Sequence, residues 1–280
     1  MANPSTPAEL GPAVVHPSSI VHQSSTLGRG VEVGPFCLVG PQVQIGDGTK
    51  LISHVSIVGH STIGQRCTIF PHATIGAVAQ HGLWKGGDEA RVLIGDDCVI
   101  RENVTIHRST HGLDRPTRVG NRVFIMTGVH VAHDVVLDDE AILVTGVGLA
   151  GHVRVGKRAI VGGMSAVAQW AHVGDHAFVA AGSVVTRNVI PFSLVKGDRA
   201  RTLGINIVGL KRLGWEDAKI RKLVDALPIV LEGDEAGIAA LLTDEIIRDE
   251  VQRMVDFCSK SDRGLCLPPG VPGIVRANKL

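Results

Sequence analysis

Residues 143–185 read LVTGVG LAGHVR VGKRAI VGGMSA VAQWAH VGDHAF VAAGSV V, blocks of six that each open on an aliphatic residue. The openers are Leu143, Leu149, Val155, Val161, Val167, Val173, Val179 and Val185. Toward the N-terminus the same period runs through Leu137, Val131, Ile125 and Val119. Across two irregular stretches it continues through Ile106, Ile100 and Ile94, and then from Ile75 down to Val15. Neither a helix nor a plain strand repeats every six residues. A coil of short strands joined by tight corners does, and an internal repeat outranks local propensity.

The residue after the opener is often glycine, as at Gly28, Gly46, Gly64, Gly95, Gly156 and Gly174. Asp, Asn, Gln, Lys or Pro commonly follows, which suits a sharp corner where a Cβ would be crowded. Four places after the opener stand small or β-branched residues such as Ser19, Cys37, Thr49, Cys67, Cys98, Ser165 and Ser183. They can share an interior with the large aliphatic without overpacking it. Three hexads make one triangular coil, and stacked coils bury a continuous aliphatic column. A β-sandwich does not fit, because its turns at ~8–12-residue spacing drift out of phase within two coils. The expected fold class is mainly β, a parallel β-helix of hexapeptide repeats over residues 15–203, after a leader at 1–14. Loop excursions are expected at 77–91 and 109–118.

Beyond Gly204 the period becomes helical. Ile220, Leu223, Val224 and Leu227 share a face, as do Ile247, Val251, Met254, Val255 and Cys258. Thr243 reads as an N-cap with Asp244 and Glu245 in the first turn. A C-terminal α-helical domain with a tail, residues 204–280, is expected to cover the last coil, whose unpaired backbone would invite aggregation.

Twenty-eight basic and 27 acidic residues leave a net charge of +1, which argues against a nucleic-acid arm or a broad membrane-binding face. No window approaches the ~18 apolar residues of a bilayer span, and residues 1–11 lack a hydrophobic signal core. The five cysteines lack metal-type spacing. They read as small hydrophobes of a reducing cytoplasm.

Thirteen histidines are present, and His107, His111, His130, His133 and His152 cluster near the breaks in the repeat. His130 and His133 avoid the aliphatic slot, and Asp134 follows His133. An adjacent carboxylate orients an imidazole and raises its basicity. Gly151-His152 lies about one coil further on, so His133 and His152 fall on related faces. Zinc needs about three well-placed nitrogen ligands. The spacing of these histidines does not match the zinc carbonic anhydrases built on the same prism, so neither a metal nor another cofactor is expected. A catalytically inactive scaffold is the remaining rival.

Several segments carry a family resemblance. They are IRENVTIHR (100–108), HVAHD (130–134), LAGHV (149–153), GGMSAV (162–167) and GINIVGLKR (204–212). In this order the chain resembles the UDP-N-acetylglucosamine 3-O-acyltransferases that begin lipid A synthesis in Gram-negative bacteria. The resemblance implies a left-handed coil, a cytoplasmic homotrimer with clefts between subunits, and transfer of an (R)-3-hydroxyacyl group from acyl carrier protein to a UDP-amino sugar. It implies His133 as general base, Asp134 as its support and the Gly151 N–H as oxyanion donor. Gln80, Lys85, His130, His152 and Gln169 match positions at the sugar or acyl chain. Asn206 and Arg212 match positions at the nucleotide and its diphosphate. Ala180 and Ala181 stand where the family often has two glycines at the end of the acyl groove, which implies a shorter acyl chain. His81, Ala168 and Leu213 depart from the family's usual Asp, His and Arg, and they leave open a 3-amino acceptor that would give an amide. Arg154, Lys157, Arg158, Arg187, Arg199 and Arg201 offer positive charge for an acidic carrier protein.

Overall fold

The openers of the hexads point inward in two-residue strands. In a computed structural model that describes residues 10–82, 90–112 and 114–269, Ile45, Leu51, Ile57, Ile63 and Ile69 are each at most 2% exposed. Residues one coil apart pair in parallel register, for example Lys50-Leu51 with Thr68-Ile69 and Arg154-Val155 with His172-Val173. Two compact units result, residues 1–128 with 132–134, and residues 129–131 with 135–280.

In the first unit three parallel walls alternate along the chain. One holds Val14–Val15, Glu32–Val33, Lys50–Leu51, Thr68–Ile69, Val99–Ile100 and Phe124–Ile125. The second holds Ile20–Val21, Leu38–Val39, Ser56–Ile57, Thr74–Ala77 and Thr105–His107. The third runs from Thr26–Leu27 through Gln44–Ile45, His60–Ile63 and Arg91–Ile94 to Thr117–Val119. Both departures from the six-residue rhythm fall between strands: one between Ala77 and Arg91, the other between His107 and Thr117. The aliphatic column loosens at the first coil, where Val15 is 39% exposed and, among the described residues, another coil packs on one side alone.

The second unit repeats the pattern from His130–Val131 to Val184–Val185 and ends in the antiparallel pair Ser193–Lys196 and Arg201–Ile205. Among the described residues four helices follow: α1 (Ile207–Arg212), α2 (Asp217–Glu232), α3 (Glu235–Leu241) and α4 (Arg248–Ser259). Ile190, Phe192 and Ile205 share a core with Leu210, Ile220, Leu223, Leu227, Ile247, Val251 and Met254, so the helices seal the last coil.

Corner glycines are crowded as expected. A Cβ on Gly46 would lie 2.7 Å from the backbone of Gly64, and one on Gly64 would lie 2.5 Å from that of Gly95. The left-handed residue of the corner, however, stands two places later, three after the opener. It is Gln42, His54, Arg66, Asp97, Asp134, His152 or Trp170 at different corners, all with φ between 52° and 67°. The small slot four after the opener is closed to water at Thr49, Cys67, Cys98 and Ser183, and its hydroxyls donate to carbonyls of the coil (Thr49 to Gly64, 2.8 Å; Ser183 to Ala180, 2.6 Å).

Two helical expectations need correction. Thr243 does not cap a helix N-terminus. Its hydroxyl donates to the Ala240 carbonyl after the end of α3, and α4 begins at Arg248. Val224 is 39% exposed, and Ala226 and Val230 fill the inner face of α2 instead. In each case helix–helix packing decided against local pattern.

Candidate active site

His133 sits two places after the opener Val131, at a corner of the first unit, and is 4% exposed. Its Nδ1 lies 2.7 Å from Asp134 Oδ2. A carboxylate only accepts, so Nδ1 carries the proton and Nε2 is left as the basic end. Asp134 is fixed in turn. Thr110 donates to it from its amide (3.0 Å to Oδ1) and from its hydroxyl (2.7 Å to Oδ2). The backbone N–H of Asp134 donates to Thr117 Oγ1 at 2.8 Å, and His111 Nδ1 stands 3.5 Å from Oδ1. The left-handed conformation of Asp134, φ 62°, lets consecutive side chains meet in this way. His81 approaches edge-on, with ring centroids 5.3 Å apart and planes at 87°.

Thr110 and Thr117 were missing from the sequence-based set because both lie in the second excursion, where the hexad phase is lost, and His81 entered there as a departure from the family's Asp, with no contact to His133 foreseen. Gln80 is exposed beside His81. Lys85 lies outside the described residues. In the same unit Arg101 grips Glu102 through Nε and Nη2, both at 3.0 Å. That pairing, with a bond from Thr127, holds the Glu102 carboxyl down at about 2. The ion pair fixes the corner of the 100–108 motif.

The second unit carries the other candidates. Gly151 is buried, and its carbonyl accepts from the Trp170 N–H at 3.1 Å. His152 stacks on Trp170, with ring centroids 3.7 Å apart and planes at 2°. Gln169 is exposed, and His130 is half-buried. Ala180 and Ala181 follow Val179 at another corner. The Ala180 carbonyl is taken by Ser165 and Ser183; Ala180 is half-buried and Ala181 exposed. The Asn206 carboxamide is committed at both ends, accepting from Gly209 N (3.1 Å) as the N-cap of α1 and donating to the His176 carbonyl (2.9 Å). Arg212 is exposed at the other end of α1. The five cysteines are free, and burial pushes the Cys258 and Cys266 thiols up to about 11, unlike an activated nucleophile.

Stacked hexapeptide coils with a buried imidazole–carboxylate pair at a corner define a hexapeptide-repeat acyltransferase. Comparison with known proteins narrows the class. A family profile described as "Udp N-acetylglucosamine O-acyltransferase; Domain 2" matches residues 188–266. An acyl-(acyl-carrier-protein)–UDP-N-acetylglucosamine O-acyltransferase of Myxococcus xanthus is 38% identical over 203 residues, 71% of this chain and 78% of that protein. Its counterpart in Paracoccus denitrificans is 38% identical over 201 residues, covering 71% and 77%. Among solved structures, the UDP-N-acetylglucosamine acyltransferase of Francisella novicida superimposes with a TM-score of 0.86 at 33% identity, over 95% of this chain and all of that one. LpxA from Acinetobacter baumannii gives 0.83 at 34% identity, over 90% and 98%. The chain belongs to the UDP-N-acetylglucosamine O-acyltransferase family, and its coil is the left-handed parallel β-helix of those structures.

Proposed function

We propose that this chain transfers an (R)-3-hydroxyacyl group from acyl carrier protein to the 3-position of a UDP-N-acetylglucosamine-type sugar, the first step of lipid A biosynthesis. The His133–Asp134 bond at 2.7 Å carries the reading. Asp134 holds the proton on Nδ1, so Nε2 takes the proton of the sugar 3-hydroxyl as its oxygen attacks the thioester carbon. A C–O bond forms, and the carbonyl oxygen becomes an oxyanion that needs a preorganised donor. Gly151 stands 18 residues after His133, at the same place in its hexad, and its N–H serves as that donor. Collapse breaks the C–S bond, and the proton held by His133 passes to the departing thiolate, leaving an ester and a thiol.

Gln80, Lys85, His130, His152 and Gln169 serve the sugar and acyl chain, while Asn206 holds α1 so that Arg212 reaches the diphosphate. Ala180 and Ala181 set the end of the acyl groove. Residues 15–203 act as the catalytic coil and 204–280 as the domain on the nucleotide side, in a homotrimer of the cytoplasm. No helix among the described residues is long and apolar enough to cross a membrane. The exposed Arg154, Lys157, Arg199 and Arg201 meet the acidic carrier protein.

The test incubates the purified protein with UDP-N-acetylglucosamine or its 3-amino analogue and a ladder of acyl carrier thioesters. A 3-O-acyl product, lost in His133→Ala while the far-UV circular dichroism is kept, is expected. Near-normal turnover in His133→Ala would refute the base. An amide formed only from the 3-amino sugar would move the acceptor to that analogue.

A further inference from the structure

We infer that a cationic pocket on the third wall of the first unit, framed by Arg91 and Arg108, binds a phosphate-type oxyanion. The inference stands apart from the acyl-transfer reading. It uses none of the residues assigned there, and Arg108 closes the 100–108 motif without a part in that chemistry.

The feet of the two excursions bring the arginines together. Arg91 is the last residue of the first excursion, and Ser109 is the first of the second. The Arg91 N–H donates to Ser109 Oγ at 3.4 Å, and the Ser109 N–H donates to the Arg91 carbonyl at 3.3 Å. The Arg108 N–H donates to the Ala77 carbonyl at 2.9 Å. From there its side chain reaches back to Gly59, where an added Cβ would lie 2.8 Å from Cδ and 2.9 Å from Nη1. Gly59 is also left-handed, φ 63°, so a residue without a side chain both turns the corner and seats the guanidinium. Beside it, Arg91 pairs in register with His60, and Thr62 with Gln44.

A pocket of about 110 Å³ opens among Gln42, Gln44, His60, Thr62 and Arg91. All five are polar and none is a carboxylate. Arg91 and Arg108 are half-buried, and the Nε of each is closed off from water without a hydrogen-bond partner. A guanidinium does not shed its proton. Two positive charges are therefore held partly out of water, with no carboxylate among the described residues paired to either. Burying unpaired charge is costly, and neighbouring like charges add to that cost. An anion in the pocket relieves both. Phosphate suits the donor set, because planar guanidinium forks pair its oxygens. Carboxamide, hydroxyl and imidazole groups supply further donors around it.

The test uses the full chain and inorganic phosphate, read by phosphorus NMR line broadening and by isothermal titration in chloride buffers of matched ionic strength. Wild type should bind one phosphate per chain with Kd of about 1 mM or tighter. Arg91→Gln and Arg108→Gln should each weaken binding on the order of 10-fold or more. If either fails to fold, Gln42→Glu decides. Position 42 is exposed, and Glu140 shows a glutamate in the same left-handed conformation, φ 61°. The added carboxylate should abolish phosphate binding while the far-UV circular dichroism is kept. The same titrations with UDP separate the sources: a Gln42→Glu loss with both ligands assigns the pocket to a phosphoryl group of a nucleotide, a loss with phosphate alone to the free anion. No binding to wild type at about 10 mM phosphate, or undiminished binding in Gln42→Glu, would overturn the site. Asp88 and Glu89 precede Arg91, lie outside the described residues and are the competing acids within the chain. Binding that appears only when both are changed to their amides would give the pocket to them and overturn the proposal. His133→Ala should bind phosphate as wild type does, so this site and the acyl-transfer mechanism stand or fall separately.

Discussion

Asp134 receives two bonds from Thr110 and one from His133, all through its carboxylate. Its task is therefore to hold one tautomer and one ring orientation. Asp134→Asn preserves the shape and presents an NH2 group to Nδ1, which favours the wrong tautomer. We expect kcat to fall on the order of 10²–10⁴-fold, by analogy with the corresponding change in serine proteases, with KM nearly constant in steady-state assays. A variant within 3-fold of wild type would leave Asp134 without a role in the chemistry. The double change Ala180→Gly with Ala181→Gly should lengthen the acyl chain accepted, read by mass spectrometry of the product. An unchanged chain length would remove both residues from the groove. At this scale the pair His133–Asp134 was legible because the two are adjacent and out of the aliphatic slot. The support from Thr110 and Thr117 and the edge-on approach of His81 were not, since they depend on how the excursions fold back. The coplanar stack of Trp170 on His152 left a trace in the sequence, a separation of 18 residues, but spacing alone does not distinguish it from the tilted rings of Phe36, His54 and His72, which share that separation.

Elements in this chain are too short to be stable alone, so each corner is held by its neighbours. The two kinds of corner glycine separate cleanly. Gly46→Ala would drive a Cβ to 2.7 Å from the next coil's backbone and should cost about 1–3 kcal/mol or more. Gly48, with φ +68° and nothing nearer than 3.7 Å, should accept Asn with a change below about 0.5 kcal/mol, because Asn tolerates the left-handed region. Urea unfolding of the two variants measures the difference, and equal losses would contradict the division of labour. The hexad announced the crowding but not which residue carries the positive φ, because residues of many kinds, Phe36 and Trp170 among them, occupy that position. In the helical domain amphipathic spacing found Ile220, Leu223, Leu227, Val251 and Met254, all buried. It misplaced Val224 and Thr243, where three helices of similar apolar content compete for one core and the connection after α3 takes a turn.

Over the whole molecule the fold was the most legible feature, since a period of six sustained from Val15 to Val185 admits one architecture. The join between the last coil and the helices is less visible, and it carries two histidines, one half-buried and one buried. His172 packs against Phe257 of α4 at 4.7 Å, and burial, with Arg154 adding to it, lowers its pKa to about 4. His176 packs against Phe192 and Trp215, has a buried Nδ1 without a hydrogen-bond partner, and is likewise lowered by burial. Both are neutral when folded. The unfolded chain takes up protons first as pH falls below ~6.5, so stability is complete above that value and declines toward pH 4. For His172 the displacement from 6.5 to about 4 corresponds to about 3 kcal/mol across that window. Helical circular dichroism melts between pH 7.5 and 4.5 should show the decline, and His172→Leu should flatten it. A pH-independent Tm over that range would refute the assignment.

The left-handed corner has a consequence for how such a protein can change. Its backbone keeps the same shape whether the site bears Gln42, Arg66, Asp97, Asp134, His152 or Trp170. Each turn of the prism thus offers an equivalent socket, and the framework does not register which side chain fills it. New chemistry can be installed, withdrawn or moved one layer along without rebuilding the scaffold.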